Sequence, residues 1–281
     1  MSLAELAAHS GLHRVGARPR FWSYLKQTWE RRDFIVTMAE YRLRASVEGN
    51  RLGVLWLVLQ PAINAAIYGA IFGMLQQDRG GPDFAQRVVI GVFLFQFFSN
   101  SLSKGAKSIT GNQSLVQSLA FPRLTLPLAE TIQNFLALLP SMALLVVVLP
   151  IMGHPPTWSW LLMIPILVLF SLFNAGVAMI AARLTVHVRD LTQLLPYISR
   201  ILFYTSGVLF DVSRIFKTYP WVVRLFDFHP IYQVLQLARH SLMGIELTST
   251  MYWAWFSIWA VATFVVGLLF FWVAEERYGR D

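Results

Sequence analysis

The chain of 281 residues contains no cysteine. That excludes a disulfide framework, a thiolate metal site and a cysteine nucleophile. Charge is scarce too: Asp, Glu, Lys and Arg make up 14% of the chain, against about 25% in ordinary soluble proteins. There are six histidines and no H-E-x-x-H pattern of the kind that holds a catalytic metal. His187 and Asp190, and Asp227 and His229, lie close in sequence, but no nucleophile sits beside either pair. A G-x-x-x-x-G-K-[ST] phosphate loop is also missing. The nearest fragment, Gly105-Ala106-Lys107-Ser108, lacks the glycine before lysine and the upstream spacing. The expectation is a chain that is not an enzyme and binds neither ATP, cofactor nor metal itself.

What is abundant is apolar sequence, at 56%, with ten tryptophans. It falls into six long runs, at residues 52–75, 88–102, 126–149, 160–182, 191–210 and 253–274. Spans of ~20 residues suffice to cross a bilayer, so the pattern predicts an all-α integral membrane protein with six transmembrane helices. The run at 88–102 is the weakest, being short and followed by a Ser/Gly-rich tail. Residues 1–51 form the N-terminal region and residues 52–281 the membrane domain. The first residues lack the basic-then-apolar layout of a signal peptide, so the first span is expected to direct insertion.

Basic residues set the orientation. With the N-terminus inside, the inner side receives sixteen Lys and Arg and the outer side six, in line with the positive-inside bias. Both termini are thus expected in the cytoplasm. The basic residues flank spans, where they meet anionic headgroups, which argues for membrane lipids as partners and against nucleic acid. Within residues 21–44, Trp22, Leu25 and Trp29 share a helical face among arginines. That pattern predicts an amphipathic helix lying in the interface plane.

Charges inside spans cost ~2.5–3.5 kcal/mol each at mid-bilayer on the insertion scale. Glu130 lies one turn inside the third run, and Arg200 lies deeper in the fifth. Arg200 should therefore either pair with Glu130 or face a hydrated pathway. Phe203, Tyr204 and Phe210, with Trp56, Tyr68 and Phe72, are aromatic candidates for lining such a pathway. Residues 211–250 are too long for a turn and too polar for one span, and Pro220 and Pro230 should break them into short helices.

Five stretches carry a resemblance, in order along the chain: YRLRASVEGNRLGVLWLVLQP (41–61), FPRLTLPL (121–128), VHVRDLTQLLP (186–196), SGVLFDVSRIF (206–216) and HPIYQVLQLARHSLMG (229–244). Together they resemble the permease subunits of ABC exporters of cell-surface polysaccharides, namely O-antigen, capsule, teichoic acid and galactan. Two positions depart from that family: His229 stands where asparagine is usual, and Tyr204-Thr205-Ser206-Gly207 replaces a Ser-Pro-aromatic stretch.

The resemblance implies a homodimer in the bacterial plasma membrane with two copies of a separate nucleotide-binding subunit, which uses ATP and Mg. The cargo would be a lipid-linked glycan moving from the cytoplasmic to the outer face. It also implies a coupling helix in residues 104–123, with Phe121, Pro122 and Arg123 as contacts, and a second contact at Arg189 and Asp190. Short re-entrant helices before the last span would form an outer gate that includes Tyr219, Trp221, His229 and Tyr232. Two other readings compete: a non-transporting scaffold for glycan synthesis, and a permease for a lipid or small hydrophobic drug.

Overall fold

The computed structural model describes residues 19–48, 51–75, 83–118, 121–216 and 218–276, and among them every regular element is helical. Two N-terminal helices, α1 (Phe21–Glu30) and α2 (Arg32–Val47), precede α3 (Trp56–Leu75) and α4 (Phe84–Ala106). A short α5 (Gln113–Ser118) leads to α6 (Thr125–Ile151), α7 (Met163–His187) and α8 (Leu191–Thr205). Three short helices, α9 (Val212–Ile215), α10 (Pro220–Asp227) and α11 (Pro230–Met243), stand before the last, α12 (Tyr252–Val273).

Among the described residues, four helical segments are long and apolar enough to cross a membrane: Phe84–Ala106, Thr125–Ile151, Trp158–His187 and Tyr252–Val273. They coincide with the second, third, fourth and sixth apolar runs. The second run looked weakest in sequence, yet α4 has 23 residues and is the most buried of the four. It stands at the centre of the bundle, where several of its polar groups find partners in protein. Gln96 Nε2 donates to Asn100 Oδ1 at 2.9 Å, and the hydroxyls of Ser99 and Ser199 lie 2.6 Å apart.

The fifth run departs from expectation. Helix α8 stops at Thr205, five residues before the expected end, and at ~1.5 Å per residue its 15 residues reach only ~22 Å. The break falls at Gly207, whose φ of +71° is one that side-chain-bearing residues seldom adopt. The freed carbonyls are not left bare. Buried Arg239 on α11 donates from Nη2 to Gly207 O at 3.0 Å, Val208 O at 3.1 Å and Arg87 O at 3.2 Å. Arg87 in turn pairs with Asp211 at 2.5 Å.

The N-terminal stretch is two helices rather than one, broken at Arg31. Trp22 and Trp29 are 78% and 70% exposed, while Tyr24 and Thr28 on the opposite face are buried. Helix α2 turns inward and packs on α6.

Helices α7 and α12 form the tightest pair. A Cβ at Gly176 would sit 2.4 Å from Thr263 O, and one at Gly267 would sit 2.5 Å from Gly176 O. Small residues allow this approach, and in lipid such packing takes the place of a hydrophobic driving force. Gly105 meets Ala178 of α7 in the same way, at 2.5 Å. Because the atoms facing Gly176 are backbone, Gly176→Val should force the helices apart at a cost of roughly 1–3 kcal/mol. The expected outcome is a lower melting temperature and a smaller monodisperse fraction in detergent, and an unchanged melt would refute the tight contact.

Candidate functional site

Three features of the bundle combine polar chemistry with placement. The first is at the end where α1, the loop before α6 and the segment after α12 meet, here termed the basal end. Tyr24 Oη donates to Glu275 Oε2 at 2.6 Å and accepts from Leu124 N at 3.1 Å. The backbone N–H of Arg123 donates to Glu275 Oε1 at 3.0 Å, and its guanidinium donates to Glu275 O. Trp272 Nε1 donates to Pro19 O at 3.0 Å. Three segments distant in sequence are thus latched around one carboxyl group. Burial pushes the Glu275 carboxyl above its usual range, against the hydrogen bonds from Tyr24 and Arg123, which favour the charged form.

Three sequence candidates lie at this latch. Arg123 is part of it. Phe121 packs beside it, with its ring 5.9 Å from that of Phe34 on α2, and between them Pro122 is buried and accepts from Thr125 N and Oγ1 through its carbonyl. The loop before Phe121 carries α5, a helix of six residues. Arg189 and Asp190 lie apart from the latch, exposed in the turn before α8. Tyr24 and Glu275 escaped the sequence reading, since nothing local marks two residues 251 positions apart as partners.

The second feature is a cavity of about 520 Å³ among α2, α3, α4 and α6. Its polar lining comes from Ser46, Gln60, Gln96, Asn100, Lys104, Asn134 and Ser141, and Trp56, Phe93 and Phe97 supply apolar walls. Beside it, Arg42 forms an ion pair with Glu130 and donates to Asn112 Oδ1 at 2.7 Å. Glu130 therefore pairs with the N-terminal helix and not with Arg200. That corrects the pairing the sequence left open, because α2, expected at the interface, folds back onto α6 and delivers Arg42.

The third feature is a cavity of about 270 Å³ among α3, α4 and α8. Arg200 lines it together with Asn64, Tyr68, Gln96, Ser99, Ser199 and Phe203. The Tyr68 and Phe203 rings lie 4.9 Å apart, and Phe203 and Tyr204 lie 5.6 Å apart. Gln96 lines both cavities. Arg200 is exposed and belongs to a stripe of exposed residues along α8, namely Gln193, Tyr197, Arg200 and Tyr204. Spacings of four, three and four put them on one helical face. Gln193 and Tyr197 carried no signal until the register of α8 was known.

The other candidates are dispersed. Trp56 lines the larger cavity and not the Arg200 cavity. Phe210 packs against Phe216 and Phe226 at the end of the bundle opposite the latch. The Phe72 side chain lies outside the described ones. Tyr219 and Trp221 are exposed at α10, whereas Tyr232 is fully buried. His229 caps α11, its side chain accepting from Tyr232 N at 3.3 Å. Burial pushes the His229 imidazole below its usual value.

The latch has a pH signature. A carboxyl whose folded value is raised contributes stability that is complete below its unfolded value, about 4.3, and is lost as pH rises through the raised value. Glu275→Gln removes the titration, so its melting temperature relative to the wild type should climb as pH increases from 4.5 to 8. A constant difference would show that Glu275 titrates normally. Tyr24→Phe leaves Leu124 N–H and the carboxyl short of a partner and should cost roughly 1–3 kcal/mol at any pH, read from the same melts.

Known proteins are similar to this chain over most of its length. A 253-residue alignment, covering 88% of this chain and 94% of the relative, gives 24% identity to the O-antigen export system permease protein RfbA of Klebsiella pneumoniae. RfbA of Myxococcus xanthus is 26% identical over 192 residues, which are 68% of this chain and 73% of its own. The polysialic acid transport protein KpsM of Escherichia coli is 23% identical over 229 residues, 80% of this chain and 87% of its own. The family model of the ABC-2 type transporters matches residues 34–243, a stretch that contains α3, α4, both cavities and the α8 stripe, and the chain belongs to that family.

Proposed function

We propose that this chain is the membrane permease subunit of an exporter for a lipid-linked cell-surface polysaccharide. It works as a homodimer with two copies of a separate ATPase subunit, in which ATP and Mg are bound and hydrolysed. The glycan is of the O-antigen, capsule, teichoic-acid or galactan kind and moves from the cytoplasm to the outer face of the bacterial plasma membrane. The relatives' names support this reading, as does the placement of sixteen basic residues on one side.

The observation that carries it is the exposed Gln193–Tyr197–Arg200–Tyr204 stripe beside the Arg200 cavity. A helix face turned to lipid should be apolar, and an arginine there is costly. Two tyrosines, a glutamine and a guanidinium instead suit a hydrated wall against which sugar rings slide, closed by the same wall of a second copy. In this reading α3 and α8 complete six spans, and both termini are cytoplasmic. Phe121, Pro122, Arg123, Arg189 and Asp190 face the ATPase. Motion of the loop reaches α1 and α12 through Tyr24 and Glu275. The helices that bear Tyr219, Trp221, His229 and Tyr232 form the outer rim.

The absence of cysteine makes the first test clean. Single substitutions Tyr197→Cys, Arg200→Cys and Tyr204→Cys should form disulfide-linked dimers in membranes, while Ile164→Cys and Val168→Cys, on the exposed apolar face of α7, should not. The tagged chain should also co-purify with the ATPase encoded beside it, and Phe121→Ala and Arg123→Ala should change its hydrolysis rate. A chain that purifies without an ATPase, whose α8 cysteines remain monomeric, would sink the exporter and favour a scaffold.

A further inference from the structure

The larger cavity has a chemistry of its own. Asn134 is 2% exposed, lines the cavity, and has no hydrogen-bond partner among the described residues for either its Nδ2 or its Oδ1. A buried amide with both atoms unsatisfied carries a desolvation cost that nothing repays, so such a group calls for a ligand. Around it, Gln60, Gln96, Asn100 and Lys104 converge from α3 and α4. The bond from Gln96 to Asn100 uses neither the Asn100 NH₂ nor the Gln96 carbonyl.

The charge balance points to an anion. Among the described residues, no carboxylate lines the cavity. Glu130 beside it is paired with Arg42 and also feels Lys104, so two cations there share one carboxylate and one positive charge is in surplus. The remaining walls are Trp56, Phe93, Phe97 and leucines, fit for a chain of methylenes. A volume of about 520 Å³ is far above packing voids, which seldom exceed a water molecule, and lies within the ordinary range of ligand sites.

We infer that this cavity binds the phosphate head group of an anionic lipid, with Lys104 meeting the phosphate and Asn134, Asn100 and Gln96 meeting its hydroxyl or sugar oxygens. The inference stands apart from the exporter reading, because a permease for any cargo could hold such a lipid. Its place between α2 and α3 would join the basal helices to the membrane helices, so that occupancy stiffens their junction.

The test uses the full chain, delipidated in detergent and offered equal concentrations of dioleoylphosphatidylglycerol, dioleoylphosphatidylcholine and an isoprenyl diphosphate N-acetylglucosamine, with retained lipid counted by native mass spectrometry. The wild type should retain an anionic probe in preference to phosphatidylcholine. Asn134→Leu and Lys104→Gln should each lower that retention by roughly tenfold, as expected for a lost hydrogen bond to a charged group. Should Asn134→Leu fail to give a cooperative melt, Lys104→Gln decides alone. Preference for phosphatidylglycerol would mark a resident membrane lipid, and preference for the isoprenyl probe would mark the lipid end of a cargo. Retention of neither anion, parity with phosphatidylcholine, or unchanged retention in a folded Lys104→Gln overturns the inference.

Discussion

A backbone carbonyl in hydrocarbon has no bonding partner except the protein itself, and that constraint governs where this chain leaves the helical state. The break after Thr205 is tolerated because Arg239 reaches across from α11 to Gly207 and Val208, and to Arg87 on α4. One guanidinium thereby ties the end of α8, the start of α4 and the short helix α11 together. Removing it would strand several carbonyls at once, and the following segment to Asp211 would lose its fixed position. The small helices α9 to α11 depend on this anchor, because none is long enough to be stable alone in water.

At the basal end the same demand for partners works between elements instead of along one. Glu275 takes bonds from Tyr24 and from the backbone of Arg123, so α1 and the loop before α6 share one acceptor group. Arg183 adds a second tie, its guanidinium 3.7 Å from the centre of the Phe270 ring while it donates to Phe270 O. A displacement of the loop cannot be absorbed locally when its neighbours are bonded this closely. It must move α1 and the base of α12 or break buried bonds.

Much of the fold was legible because lipid imposes a simple rule on composition. Runs of apolar residues between basic clusters coincide with α4, α6, α7 and α12 within a few residues. The rule failed where protein, not lipid, is the solvent. Helix α4 looked weak because it carries polar groups that face protein and not lipid, and the end of α8 was overrun because Val208, Leu209 and Phe210 are apolar without being helical. Of the candidate site, the role of Arg200 was half readable: its depth called for a cavity or a partner. That Glu130 was taken by Arg42 depends on α2 folding back across 88 positions of sequence, and no local pattern encodes such a return. Tyr24 was invisible for the same reason, since its significance lies in what surrounds it.

The outward face of α8 shows how the two environments divide one helix. Leu195, Ser199 and Phe203 turn inward, Leu194 and Ile201 are exposed and suit lipid, and between these sectors run Gln193, Tyr197, Arg200 and Tyr204. If all the exposed surface met hydrocarbon, the arginine alone would cost several kcal/mol against insertion, and among the described residues no ion pair offsets it. In the proposed homodimer, a second copy meeting this sector across a hydrated gap would remove the cost, while Leu194 and Ile201 would still bury their surface in lipid. The polar stripe is thus the part of the monomer's surface that is physically incomplete.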